Sequence, residues 1–191
     1  MASQGRLQWG KTIGKIGMIG YFIVMGYFLG RLADVILHFR HFSALKGCSI
    51  QTRESSMPYI FMALDFVCPV LLLVLSHSEM ASPTFYWQLS GLGMVFLGFS
   101  FKVWSQMMLG ARWTFACVRV NGYEPVQIGP YRYLKHPEYA GRVAEIVGVA
   151  LVLGLQQWAL PVAVLYGLVL RRIGGWEHHI LTASDEAVVH Q

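Results

Sequence analysis

The sequence predicts an all-α integral membrane protein with about five transmembrane helices, the last two of which form a C-terminal helical hairpin. Of its 191 residues, 55% are hydrophobic and only 13% are charged, and the mean hydropathy is +0.48. Soluble domains carry about 25% charged residues, because a surface in water needs charge and a surface in lipid excludes it. In addition, several apolar runs reach the roughly 20 residues that a helix needs to cross a hydrocarbon core.

The first three predicted spans are apolar runs separated by polar connections. The first covers about residues 13–37, the second about 57–75 and the third about 83–108. The second contains a single charge, Asp65, for which contact with a polar neighbour is favoured over a substrate or proton role. Small residues let helices approach closely in lipid, and the first and third spans are rich in them: Gly14, Gly17, Gly20, Gly26, Gly30, Gly91, Gly93 and Gly98.

The remaining two spans come from one long stretch, residues 139–176, which is too long for a single helix across a bilayer. Gln156, Gln157 and Pro161 lie near its middle. We therefore expect two helices joined by a tight turn, of which the first is rather short.

The distribution of basic residues predicts that the C-terminus is cytoplasmic, because Lys and Arg prefer that side of the membrane. The net charge of +5 fits contact with anionic lipid headgroups better than contact with nucleic acid. The N-terminal cations Arg6, Lys11 and Lys15 run against this orientation. Three other regions support it: the connection after the first span (Arg40, Lys46, Arg53), the connection after the third (Arg112, Arg119, Arg132, Lys135) and the C-terminal end (Arg171, Arg172).

The connection between the third and fourth spans, residues 110–141, is the stretch that indicates function. It is rich in aromatic and basic side chains, and loops of this length in a compact protein are usually functional. Its centre, residues 129–141, reads GPYRYLKHPEYAG. The residue before a proline avoids the helical conformation, whereas proline itself is tolerated in a first helical turn. A helix is therefore expected to begin just after His136, with free N–H donors that suit a carboxylate or phosphate.

This segment resembles the signature GPYRYxRHPxYxG of the isoprenylcysteine carboxyl methyltransferase family and its bacterial relatives. Upstream, KVWSQMMLGARW (residues 102–113) resembles the family's RxWxxxxLGxxW stretch. Downstream, EHHIL (residues 177–181) lies where the family has EExxL. The resemblance covers roughly residues 85–182 and implies a methyltransferase that takes its methyl group from S-adenosylmethionine. Residues 110–141 would then form a cytoplasmic cofactor-binding loop.

The resemblance also implies which residues bind the cofactor. His136, Tyr139 and Gly141 occupy the HPxYxG positions, which line the S-adenosylmethionine site in the family. Glu177 matches the first acid of the EE pair, which helps to hold the cofactor. The expected cofactor-binding set is Tyr131, His136, Pro137, Tyr139, Gly141, Glu177 and His178.

Methyl transfer from a sulfonium is an in-line displacement, in which the protein mainly positions donor and acceptor. A carboxylate acceptor needs only cations to orient it, for which Arg132, Lys135 and Arg142 are candidates. A hydroxyl acceptor such as a phenol or enol needs a base, for which the candidates are His136, His178 and Glu145. A second interpretation of Arg142 and Glu145 is an ion pair three residues apart on one helix face.

We therefore expect an S-adenosylmethionine-dependent O-methyltransferase that modifies a carboxyl or hydroxyl group of a lipophilic substrate, either isoprenylcysteine-like or polyketide-lipid-like. Its partners are this substrate and membrane lipids. A bacterial inner membrane is favoured, with the endoplasmic reticulum as the alternative; no metal is expected, and the oligomeric state is left open. The single membrane domain divides into N-terminal helices (residues 1–84), a methyltransferase core (85–182) and a polar tail (183–191).

Three alternatives remain open at this point. A phospholipid amine N-methyltransferase would share the cofactor but needs an acidic or aromatic cage for its cationic substrate. A nicotinamide-dependent membrane reductase resembles this C-terminal region. An inactive membrane scaffold is supported by two departures from the family pattern: Lys135 stands in place of an arginine, which loses the planar fork of a guanidinium, and His178 stands in place of an acid.

Overall fold

Within the residues that it describes, the computed structural model contains five α-helices and a two-stranded ribbon, and the helical class predicted from the sequence is confirmed. It describes residues 2–45, 50–52, 57–78, 84–113, 118–120 and 126–189, and the side chains of residues 20–44, 59–60, 62–77, 84–110, 112–113 and 126–175. The elements are, in chain order, α1 (Ala2–Leu45), β1 (Ile50–Thr52), α2 (Met57–Ser78), α3 (Phe85–Leu109), β2 (Val118–Val120), α4 (Pro137–Val152) and α5 (Gln156–Val189), with 3-10 turns over Gly110–Arg112 and Gly129–Arg132.

Three segments within the described residues are long and apolar enough to cross a membrane, namely Gly20–Ala44 of α1, Phe85–Leu109 of α3 and Gln156–Gly175 of α5. A shorter apolar helix, Met62–His77, lies within α2. Many of the large side chains on these helices are exposed, as expected for surfaces that face lipid. The protein is therefore an integral membrane protein, and the count of five spans stays a prediction.

Helices α3 and α4 pack with their backbones in contact at two glycine crossings. A methyl group built on Gly91 would lie 2.7 Å from the carbonyl oxygen of Gly148, and one built on Gly98 would lie 2.6 Å from that of Gly141. The reciprocal distances are 2.6 Å at Gly148 and 2.7 Å at Gly141. Moving seven residues forward along α3, from Gly91 to Gly98, moves the contact seven residues backward along α4, from Gly148 to Gly141. The two helices are therefore antiparallel. The expected close packing at Gly91 and Gly98 is confirmed.

Helix α4 ends in a glycine-capped turn that leads directly into α5. Gly154 has a φ of +78°, a conformation that favours glycine. The Leu155 N–H donates to the Ala150 carbonyl at 2.9 Å and the Gly154 N–H to the Leu151 carbonyl at 3.0 Å, which is the Schellman pattern. The predicted hairpin is therefore present, but its turn precedes the two glutamines, and Pro161 lies inside α5.

The connection after α1 pairs with the loop after α3. Strands β1 and β2 are antiparallel, with Ile50 opposite Val120 and Thr52 opposite Val118. Close by, His41 Nδ1 donates to the carbonyl oxygen of Trp113 at 2.9 Å. Both connections therefore lie at the same end of the bundle, and these are two of the regions in which the sequence concentrates Lys and Arg.

Helix α4 occupies the centre of the molecule. Ile146, Val149 and Ala150 are fully buried, in a cluster that includes residues of α1, α2 and α5. The last five residues of α4, Gly148 to Val152, are all buried, as expected for a helix that other helices surround. Its N-terminal end, where the sequence motif lies, is thereby held against both α3 and α5.

Candidate functional site

The segment before α4 turns sharply and then starts the helix where the sequence predicted. Gly129 has a φ of +58° and packs against Met108 and Trp104 of α3. His136 is the residue before the first turn, and Pro137 is the first helical residue. The start of α4 just after His136 is thus confirmed.

The rings of His136 and Tyr139 stack face to face. Their centroids are 4.8 Å apart and the ring planes differ by 10°. Gly174 of α5 lies close to the edges of both rings. A methyl group built on it would lie 3.3 Å from His136 Cδ2, His136 Nε2 and Tyr139 Cε2. The glycine at position 174 therefore lets α5 approach the stacked pair.

A cavity of about 540 Å³ opens beside this pair, between the N-terminal half of α4 and α5. Its volume is in the range of small-molecule sites. Two exposed cations, Lys135 and Arg171, line it together with the stacked rings, while much of the remaining surface is apolar. The other lining residues are Ala140, Val143, Gly167, Leu170, Gly174 and Gly175. The cavity thus combines aromatic faces, an apolar wall and positive charge.

Of the residues proposed from the sequence whose side chains the structure describes, Lys135, His136 and Tyr139 line this cavity and the others do not. Pro137 is buried as the first residue of α4, and Gly141 lies against Gly98 on the α3 side. Glu177 and His178 belong to α5 about one turn beyond Gly174, but their side chains lie outside those that the structure describes.

Two residues of the motif lie in the 3-10 turn before α4. Tyr131 is partly buried, whereas Arg132 is exposed, with its guanidinium 5.9 Å from the centre of the Tyr133 ring. Neither residue lines the cavity. Their assignment to the cofactor and to the acceptor therefore stays a prediction.

Arg142 and Glu145 lie on the other side of α4, within a buried network of ionisable groups. Arg142 pairs with Asp65 of α2, and Glu145 pairs with Arg31 of α1. Each thus has a partner on another helix. Lys102 of α3 also joins this network, because its Nζ lies 3.0 Å from Asp34 Oδ2.

Among the side chains that the structure describes, the network is balanced in charge. Asp65 also accepts a hydrogen bond from the Tyr166 hydroxyl of α5 at 2.5 Å, so the expected polar contact of this carboxylate is confirmed. The network therefore links all five helices. Its members are three cations and three anions, Arg31, Lys102, Arg142, Asp34, Asp65 and Glu145.

One further contact joins two parts of the sequence pattern. Trp113, which ends the KVWSQMMLGARW stretch, is buried and donates from its Nε1 to Glu138 Oε2 at 2.5 Å. Glu138 belongs to the HPEY segment at the start of α4. The tryptophan thus fixes the loop after α3 against the helix end that carries His136 and Tyr139.

Sequence reasoning missed Gly167, Leu170, Arg171 and Gly174 as lining residues of the cavity. They come from α5, which lies outside the motif, and no local pattern marks them. The available signal was Arg171 itself, a cation at the C-terminal end of an apolar span, which the positive-inside rule explains without any site.

Comparison with known proteins connects this site to a family. Residues 91–190 match the isoprenylcysteine carboxyl methyltransferase (ICMT) family, and this range is about half of the chain. The Bacillus subtilis (strain 168) protein described as "Uncharacterized protein YpbQ" is 33% identical over 109 residues, which are 56% of this chain and 62% of that protein. The match thus spans less than two thirds of the relative's length. No solved structure matches the chain. The chain belongs to the isoprenylcysteine carboxyl methyltransferase family, whose members are membrane methyltransferases that act on lipophilic substrates.

Proposed function

We propose that the protein transfers a methyl group from S-adenosylmethionine to an oxygen atom, of a carboxyl or hydroxyl group, on a lipophilic substrate that arrives from the bilayer. The observation that carries this proposal is the cavity beside the His136–Tyr139 stack, at the point where the family motif starts α4. S-adenosylmethionine, when bound, would supply an electrophilic methyl group on a positively charged sulfur.

The residues that line the cavity fit the parts of such a cofactor. Lys135 and Arg171 provide positive charge for the carboxylate of its amino-acid part, and charge-assisted hydrogen bonds of this kind are strong. The apolar wall formed by Val143 and Leu170 suits a purine ring. The face of the Tyr139 ring attracts a cationic centre through its π electrons.

The same charges bear on the choice of acceptor. Lys135 and Arg171 attract a carboxylate or an ionised hydroxyl and repel an ammonium group. This favours O-methylation over the N-methylation of a phospholipid amine. The neighbouring helix faces are exposed to lipid, so an amphiphile can reach the opening without leaving the bilayer.

Binding of labelled S-adenosylmethionine to the detergent-purified protein tests the cofactor assignment. We expect saturable binding that weakens about tenfold or more in His136→Ala and in Arg171→Gln, since each removes a group that lines the cavity. Arg172→Gln is the matched control, because Arg172 is a neighbouring exposed arginine that does not line the cavity.

Two results would contradict the proposal. Absence of binding to the unmodified protein would exclude the cofactor, and equal affinities for Arg171→Gln and Arg172→Gln would exclude this cavity as its site. The acceptor is identified by mass spectrometry of lipids from cells with and without the protein. A lipid that gains one methyl group on oxygen supports the proposal. A lipid methylated on nitrogen instead overturns the assignment of an oxygen atom as the acceptor.

A further inference from the structure

A second cavity, of about 290 Å³, lies between α1 and α3 at the lipid-facing side of the bundle. It follows the two helices from Ile23 to Arg31, a distance of about 12 Å at 1.5 Å per residue. Most of its wall is apolar; Leu92, Phe96 and Phe99 of this wall are exposed, and Ile23 and Val95 are partly buried. A hydrocarbon chain would therefore meet apolar surface along most of the cavity.

The inner end of this cavity is polar and contains hydrogen-bonding atoms without a partner among the described residues. They are Tyr27 Oη, Arg31 Nε and Glu145 Oε1, and the exposed fraction of these residues is 6%, 2% and 1%. Arg31 and Glu145 pair through their other atoms, while Glu145 Oε1 is 3.6 Å from Lys102 Nζ, beyond hydrogen-bond distance. Buried polar atoms are rarely left in this state. Their arrangement offers a ligand donors from Tyr27 and Arg31 and an acceptor from Glu145.

The charge around this end selects a neutral ligand. The network to which Arg31 and Glu145 belong contains three cations and three anions, so a charged group would unbalance it. Arg31 is also eleven residues into the Gly20–Ala44 span, near the middle of the membrane, where an added charge is costly. A phospholipid headgroup would stay at the interface. A hydroxyl both donates and accepts, and it carries no charge.

We propose that this cavity binds a single-chain amphiphile with a neutral hydroxyl group, such as a long-chain alcohol or alkylphenol. The hydroxyl contacts Tyr27, Arg31 and Glu145, and the chain lies between α1 and α3. Glu145 is two residues from Val143, which rotates it about 200° around α4, so this cavity and the one beside His136 lie on opposite sides of that helix. The proposal is independent of the methyl-transfer proposal, because its ligand lies away from the candidate cofactor cavity.

Three Gly→Leu variants separate the two cavities. A methyl group built on Gly26, Gly175 or Gly93 meets no atom within 4 Å, so each position accepts a larger side chain without a backbone clash. Gly26 lines the cavity between α1 and α3, Gly175 lines the cavity beside His136, and Gly93 lines neither. The probe is a photoactivatable hexadecanol added to the full-length protein in nanodiscs, with the labelled residues located by mass spectrometry.

We expect saturable labelling of α1 and α3 that unlabelled hexadecanol displaces and that hexadecanoate and hexadecylamine displace much more weakly. Gly26→Leu abolishes the labelling, whereas Gly93→Leu and Gly175→Leu retain it. Tyr27→Phe keeps the ring beneath the Arg31 guanidinium and removes only the unpartnered hydroxyl, so it weakens binding about three- to tenfold without unfolding the protein.

Labelling that does not saturate, that is equal in Gly26→Leu and Gly93→Leu, or that the charged competitors displace as well as the alcohol does, would overturn the proposal. If Gly26→Leu does not fold, Tyr27→Phe decides: unchanged affinity contradicts the assignment. Binding of S-adenosylmethionine, measured on the same samples, reports on the other cavity. If the unmodified protein does not bind S-adenosylmethionine, the methyl-transfer proposal is refuted, and the proposal for the cavity between α1 and α3 is unaffected.

Discussion

The absence of a β-carbon at Gly174 leaves the room that the two stacked rings of the candidate cofactor site occupy. In Gly174→Ala, the new methyl group would lie 3.3 Å from both rings of the His136–Tyr139 stack, so the rings must move by a few tenths of an ångström. Because binding depends on how well such groups are placed, we expect S-adenosylmethionine affinity to fall about three- to tenfold. Isothermal titration calorimetry on the detergent-purified protein measures this.

Gly93→Ala is the control for this change, because its methyl group meets no atom within 4 Å and Gly93 lines neither cavity. Its affinity should equal that of the unmodified protein. If both variants bind as tightly as the unmodified protein, the stacked rings do not take part in binding.

The residues of the site differ in how far the sequence could reveal them. Lys135, His136 and Tyr139 were found because they belong to one short motif whose His-Pro step also marks the start of a helix. Gly174 and Arg171 were missed because their importance arises from the packing of α5 against α4, thirty or more residues away. No local preference of a glycine or an arginine records that contact.

The pairing of α3 with α4 depends on four glycines that act as two contact points. A methyl group at Gly98 would lie 2.6 Å from the carbonyl oxygen of Gly141, and a backbone oxygen cannot swing away as a flexible side chain can. Gly98→Ala should therefore lower the free energy of unfolding by about 1–3 kcal/mol, the usual cost of overpacking. Denaturation with sodium dodecyl sulfate in mixed micelles, followed by circular dichroism, gives the value.

Gly93→Ala provides the comparison on the same helix, since its methyl group meets nothing within 4 Å. It should leave stability unchanged or raise it slightly, because alanine favours helix more than glycine does. Equal destabilisation by the two changes would show that the crossing is not a close contact.

At the level of elements, the sequence predicts the helices well, but it does not show which helices pack against each other. Glycines seven residues apart in α3 and again in α4 are visible in the sequence, but their antiparallel register is not. The β1–β2 ribbon was not predicted, because two three-residue strands are too short for an alternating pattern to be recognised. Helix α1 also extends beyond its apolar run at both ends, since helical hydrogen bonds do not stop where hydrophobicity does.

At the level of the whole molecule, the buried ionic network couples the helices that the sequence presents one by one. Each charge is visible within its apolar run, and the spacing of Arg142 and Glu145 also suits a local pair on one helix face. Their partners, Asp65 and Arg31, are 77 and 114 residues away along the chain. Only the tertiary structure shows that the charges cancel, and this balance explains how so many ionisable groups are tolerated inside a membrane protein.

The balance itself can be tested at Asp65, which pairs with Arg142 and accepts a hydrogen bond from Tyr166. Asp65→Asn leaves an uncompensated buried cation and should cost about 3–5 kcal/mol of unfolding free energy, measured by the same denaturation in mixed micelles.

The double variant Asp65→Leu with Arg142→Met removes one charge of each sign. It should recover at least half of that loss, because the remaining network again contains equal numbers of cations and anions. Arg172→Gln, at an exposed position, should change nothing. A double variant no more stable than Asp65→Asn would mean that particular hydrogen bonds, rather than the cancellation of charge, hold the five helices together.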